Sequence, residues 1–130
     1  MSTPSEPTPC IGVLLSDDLL FSSRITGTAR DLGLVVRPAR SVEALTTLLH
    51  QQTPSCVIVD LAHPELRLAG FMDCLRTTCT PMPRVVAYGS HVDTATLRAA
   101  KEAGCAVVLP RSKFVEQLPQ ALPEWIAASS

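Results

Sequence analysis

At 130 residues, with 46% of them hydrophobic, the chain is long enough for one domain with a buried core and too apolar to be disordered. Eleven Lys and Arg against 12 Asp and Glu leave a formal charge of −1, which argues against nucleic acid or an anionic membrane as a partner. The longest apolar runs are strand-length, far short of a membrane span.

Residues 1–10, dominated by Pro, Ser and Thr, read as a flexible leader, and residues 11–127 as the folded domain. The leader lacks the basic start and apolar stretch of a secretion signal, so a cytoplasmic protein with reduced thiols is expected. The five cysteines are odd in number, contain no C-x-x-C pair, and read as small core residues.

From Ile11 onward, short apolar runs alternate with helix-length segments five times. The runs are Ile11–Leu15, Leu34–Arg37, Cys56–Leu61, Arg84–Tyr88 and Ala106–Leu109. Continuous apolar runs are what strands buried on both faces require. Arg37 and Pro38 place the second run nearer an edge. The first intervening segment, Leu20–Leu32, puts Phe21, Ile25, Ala29 and Leu32 on one helical face, with Gly33 placed to stop it. Ser41 is a good N-cap for a helix carrying Val42, Leu45, Leu48 and Leu49. Ala69–Thr78 is a shorter helix offering Phe71, Met72 and Leu75 to the core. Asp93 caps Thr94–Ala103, with Gly104 just past its end. Pro119 and Pro123 divide Ser112–Ala127, which predicts a short turn and a restart near Pro119. Five β–α units in a row give an α/β fold, a five-stranded doubly wound parallel sheet with helices on both faces.

Such folds bind ligands at the carboxyl ends of their strands. Asp17 and Asp18 follow the first run, and Asp60 closes the third. Three like charges on neighbouring strands repel each other and need a cation, and hard oxygen ligands with room for water suit Mg²⁺. A helix-capping role accounts for one Asp of the pair but not for both plus Asp60.

In this arrangement the chain resembles the receiver domains of two-component response regulators, with their flavodoxin-like (βα)5 fold, from Ile11 to about Ile126. Asp17-Asp18 match the family's metal-binding acidic pair. Asp60, in Val57-Ile58-Val59-Asp60, matches the phosphoacceptor, and Pro64 falls four residues past it. Arg24-Ile25 fit the first helix, and Ala103-Gly104 introduce the fifth strand. The resemblance implies phosphoryl transfer from a phosphohistidine of a sensor histidine kinase or phosphotransfer protein onto Asp60. It also implies Mg²⁺ on Asp17, Asp18, Asp60 and the main-chain carbonyl of Ala62. Output would pass through an unknown effector protein, and the domain would not be an enzyme in its own right. The family's output face falls on Arg98, Lys101, Glu102 and the proline-divided last helix, so a monomer is expected.

Three positions depart from the family pattern. The Thr or Ser at the end of the fourth strand falls on Gly89; Ser90 is the stand-in hydroxyl, and Gly89→Thr is expected to speed phosphoryl uptake. The Lys of the fifth strand falls on Arg111, followed by Ser112 in place of a proline. The switch aromatic falls on Val108, while Tyr88, the nearby aromatic, is expected to face away. The segment Glu65–Ala69 is longer than usual or differently shaped. Two readings follow: a phosphorylatable receiver with altered switching, or a pseudo-receiver that binds partners without phosphate. Other signals carry less. The Cys105-x₅-Arg111 spacing lacks the glycines of a phosphatase loop, His50, His63 and His91 lie on different elements, and no nucleotide-binding glycine motif occurs.

Overall fold

The computed structural model describes residues 10–127, so the leader expected over residues 1–10 lies, apart from Cys10, outside the described residues. Ten elements alternate strictly in the order β1 Gly12–Leu15, α1 Leu19–Asp31, β2 Val36–Ala39, α2 Val42–Gln51, β3 Cys56–Asp60, α3 Leu68–Thr78, β4 Arg84–Gly89, α4 Thr94–Glu102, β5 Val107–Pro110 and α5 Arg111–Ile126. All neighbouring strands pair in parallel, in the order β2-β1-β3-β4-β5. Among the described residues, no helix is long and apolar enough to cross a membrane.

Alternation along each central strand divides the core in two. Leu14, Ile58 and Val86 face α1 and α5, where they meet Ile25, Ala29, Phe114 and Leu118. Val13, Leu15, Val57, Val59, Val85 and Ala87 face the other way, against Leu45 and Leu49 of α2, Phe71 and Leu75 of α3 and Ala100 of α4. Both faces of β3 are therefore buried, as its unbroken apolar run requires. Cys56, Cys79 and Cys105 are core residues as expected, and burial pushes the Cys56 thiol up to about 12. Cys10 is exposed and Cys74 only half-buried, so the core reading fails for those two.

The second strand begins two residues later than its apolar run. Helix α1 ends in a Schellman motif: Leu34 N–H bonds to Ala29 O at 2.8 Å and Gly33 N–H to Arg30 O at 3.0 Å, with Gly33 at φ 74°. Leu34 is thereby committed to ending the helix, and Leu32 is 40% exposed instead of joining the core. Pro38 then falls inside β2 without cost. Gly12 and Ser16 N–H groups bond to Val35 and Ala39 carbonyls, so the odd-numbered positions pair with β1. The N–H that Pro38 lacks would point off the open edge.

The last helix corrects the sequence expectation more sharply. Helix α5 is continuous for 16 residues across Pro119 and Pro123, without the turn and restart. Its buried stripe of Phe114, Leu118, Leu122, Trp125 and Ile126 supplies the reason, with Trp125 stacked on Phe114 at 5.6 Å. The end of the helix is also tied down: Ser55 Oγ donates to the Ile126 carbonyl and Arg84 Nη1 to that of Glu124. Packing and these caps outweigh two lost ladder bonds. With α5 unbroken, the monomer expected from a divided helix has no structural basis.

Candidate functional site at the carboxyl end of the sheet

At the carboxyl ends of β1, β3 and β4, Ser16, Asp60 and Tyr88 lie side by side. Asp60 is the strand partner of Tyr88, and Ser16 follows Leu15, the partner of Val59. Partners in parallel strands project from the same face. All three side chains therefore point toward α1 and α5.

Asp60 is only 3% exposed. Its Oδ1 accepts the Ala62 N–H at 2.9 Å, and its Oδ2 lies 3.7 Å from Arg111 Nη2. The second distance is an ion pair, too long for a hydrogen bond. Burial raises the Asp60 carboxyl above its ordinary pKa; the Ala62 N–H and the Arg111 charge oppose that rise, while Asp17 adds to it. Arg111 opens α5, and its guanidinium carbon lies 5.1 Å from the Phe21 ring centre and 5.8 Å from that of Tyr88. A planar guanidinium can rest on such an aromatic shelf while facing a carboxylate, which a lysine ammonium does less well. Above this floor opens a cleft of about 620 Å³, whose walls include Ala62, Ser90, His91 and Ser112.

The acidic triad is not assembled. Asp18 Oδ1 accepts the Phe21 N–H at 3.0 Å and caps α1, while Ser16 Oγ accepts the Asp18 N–H at 3.2 Å. The capping role that the sequence reading allowed for one Asp has claimed Asp18, and Ser16, not an acid, sits alongside Asp60. Among the described residues, no three His, Cys, Asp or Glu side chains gather to hold a metal ion. The oxygen donors left to this end are Asp17, Asp60 and the Ala62 carbonyl, which suit Mg²⁺ in kind but supply one carboxylate fewer than expected. This division of labour is measurable. Asp18→Ala should cost about 1 kcal/mol of stability and Asp18→Asn a few tenths at most, because Asn still caps. Urea unfolding of the two variants decides it, and equal losses would remove the capping role.

Gly89 has no hydroxyl, and Ser90, the expected stand-in, sits on the wall of the cleft. A Cβ built on Gly89 would meet Leu61 Cδ1 at 3.3 Å and Leu97 Cδ2 at 3.5 Å, so the space on that side is already filled. Ser90 is exposed; its Oγ accepts the Val92 N–H at 3.4 Å and its carbonyl accepts the Asp93 N–H, which shapes the turn into α4. Tyr88, expected to face away, instead lies buried on the Asp60 side.

His63 was missed as a structural element of the site. It is 5% exposed, its Nδ1 accepts the Glu65 N–H at 3.1 Å, and its Nε2 lies 2.8 Å from the Arg40 carbonyl. An accepting Nδ1 leaves the proton on Nε2, which donates to Arg40. Glu65 Oε1 in turn accepts the Val42 N–H at 3.0 Å. The long segment after Pro64 is thereby pinned to the start of α2. No sequence signal marks these bonds, because most of the partners are main-chain groups.

No protein-family model matches this sequence, and no curated protein matches it either. Solved structures do match. A signal receiver domain of a response regulator from Bermanella marisrubri aligns over 92% of this chain and 100% of its own, at 18% identity and a TM-score of 0.78. The receiver domain of NtrX from Brucella abortus aligns over 91% and 99%, at 17% identity and a TM-score of 0.77. A response regulator from Burkholderia pseudomallei, solved with a phosphorylated aspartic acid, calcium ion and citrate, aligns over 91% and 66%, at 17% identity and a TM-score of 0.72. With the strand order and the position of Asp60, these likenesses establish that the chain has the receiver-domain fold of response regulators.

Proposed function

We propose that this domain accepts a phosphoryl group on Asp60 from the phosphohistidine of a sensor histidine kinase or phosphotransfer protein, and signals through a partner protein. The observation that carries the reading is a buried carboxylate at the end of β3 that faces an arginine and borders an open cleft. Ala62 N–H holds one carboxylate oxygen in place, and Arg111 is positioned to meet the oxygens of an incoming phosphoryl group. A Mg²⁺ ion held by Asp17, Asp60 and the Ala62 carbonyl would neutralise charge on those oxygens. The group remains on Asp60, so the domain is a substrate of its kinase and not an enzyme. The Burkholderia relative, with its phosphorylated aspartate, supports the reading.

The second reading is a phosphorylation-independent interaction module. It is favoured by the filled space at Gly89 and by the diversion of Asp18 to the helix cap. Acetyl phosphate with Mg²⁺ separates the two. On the first reading, intact-mass measurement shows one added phosphoryl group in the wild type and none in Asp60→Asn. A wild type that stays unlabelled at tens of millimolar acetyl phosphate leaves the interaction module.

A further inference from the structure

Among the described residues, the Tyr88 hydroxyl is the only buried side-chain nitrogen or oxygen without a hydrogen-bond partner. The phenol ring is fully accounted for: it packs 4.8 Å from Phe21 and 4.7 Å from Phe114, centre to centre. A phenylalanine would make the same contacts and avoid burying an orphan donor, a burden of about 1–3 kcal/mol. The hydroxyl therefore has no role in the resting packing.

Its surroundings indicate what it meets. Tyr88 and Asp60 are strand partners on one sheet face, and the Arg111 guanidinium covers the phenol ring. Ser16 lies beside the hydroxyl and eases its ionisation, but the geometry between them falls short of a hydrogen bond. Burial, and then the Asp60 charge, raise the phenol's pKa, so it keeps its proton and remains a donor. A new group attached to Asp60 that brought acceptor oxygens would find a dry, waiting O–H.

We infer that Tyr88 is the positioning residue that donates a hydrogen bond to an oxygen of the phosphoryl group on Asp60, acting with Arg111 in place of the hydroxyl absent at Gly89. The inference rests on the phosphoacceptor reading. In the transfer, an Asp60 carboxylate oxygen forms the new bond to phosphorus as the bond to the donor's leaving group breaks, and the electron pair departs with that group. Tyr88 neither gains nor loses a proton; it only redirects its O–H.

Tyr88 is the only tyrosine of the chain, so it can be watched directly. The probe is beryllium trifluoride with Mg²⁺, an anion that becomes tetrahedral when a carboxylate oxygen coordinates the beryllium, as it would bond phosphorus. Fluorine NMR of bound fluoride measures occupancy, and the tyrosine near-ultraviolet band measures hydrogen bonding of the phenol. The wild type should bind with a shift of that band, and Asp60→Asn should do neither. Tyr88→Phe should stay folded and bind about tenfold more weakly, the scale of one hydrogen bond to a charged group. Wild-type binding with an unmoved tyrosine band, and equal affinity in Tyr88→Phe, would overturn the role of Tyr88 and leave the phosphoacceptor standing. No bound fluoride in the wild type would overturn both.

Discussion

Replacing Asp60 with Asn should stabilise the folded domain by about 1–2 kcal/mol at pH 7, the scale on which a poorly compensated buried ion costs more than a neutral isostere. The side chain is 3% exposed, and its one main-chain donor, Ala62 N–H, would be kept by the Asn carbonyl. What Asn gives up is an ion pair 3.7 Å long to a guanidinium whose own side chain is 43% exposed, hence screened by water. The pH dependence has a definite sign. Burial raises the folded-state pKa of Asp60 above its unfolded value, so the folded protein binds the proton more tightly. The wild type therefore gains stability relative to Asp60→Asn as pH falls through the folded pKa, and the difference has closed once pH lies below the unfolded value. It reopens as pH rises. Urea midpoints of both proteins at pH 7 and at about pH 3, below the ordinary aspartate pKa, test this, because other acids titrate in both and cancel. A variant less stable than wild type at pH 7 would mean that the Arg111 pair outweighs desolvation. On the phosphoacceptor reading, a carboxylate kept where it destabilises the fold trades stability for function.

Most of this architecture was legible because burial writes itself into sequence. Strands covered on both faces read as Val57-Ile58-Val59 and Val85-Val86-Ala87, and caps such as Ser41 and Asp93 sit where helices begin. Asp60 was legible for the same reason, as the one charge ending a buried strand. The failures lie where the outcome depended on a contest between neighbours. Asp17 and Asp18 look alike in sequence, and only the point at which α1 starts decides which one caps it. Pro119 breaks a helix unless its buried stripe is strong enough to hold the helix together, and here it is. Tyr88 was misplaced because the face of a strand residue follows from register, and register between β3 and β4 cannot be read from either strand alone.

A threonine at position 89 should be tolerated only where Leu61 makes room for it. Gly89→Thr alone should destabilise the domain by about 1–3 kcal/mol, the range for forcing extra atoms into a packed site, without speeding phosphoryl uptake. The first added atom would already stand 3.3 Å from Leu61 Cδ1 and 3.4 Å from Leu61 Cβ, with Leu97 Cδ2 at 3.5 Å on the other side. Threonine then adds a methyl and a hydroxyl on that crowded carbon, and β-branching leaves its χ1 little freedom to escape. Leu61 follows Asp60 directly and is only partly buried, so trimming it opens space at modest cost. In Leu61→Ala combined with Gly89→Thr, the two changes share one volume and should not add: the pair should be more stable than the sum of the single losses predicts. Labelling of Asp60 by acetyl phosphate should not accelerate even in the double variant, because position 89 projects toward Leu61 and Leu97, on the sheet face opposite Asp60 and Tyr88. Gly89→Ala supplies the lower limit, since one methyl at these distances requires Leu61 to shift by a few tenths of an ångström. A single Gly89→Thr variant as stable as wild type and faster to label would show that the Leu61 wall yields freely and that a hydroxyl at position 89 reaches Asp60.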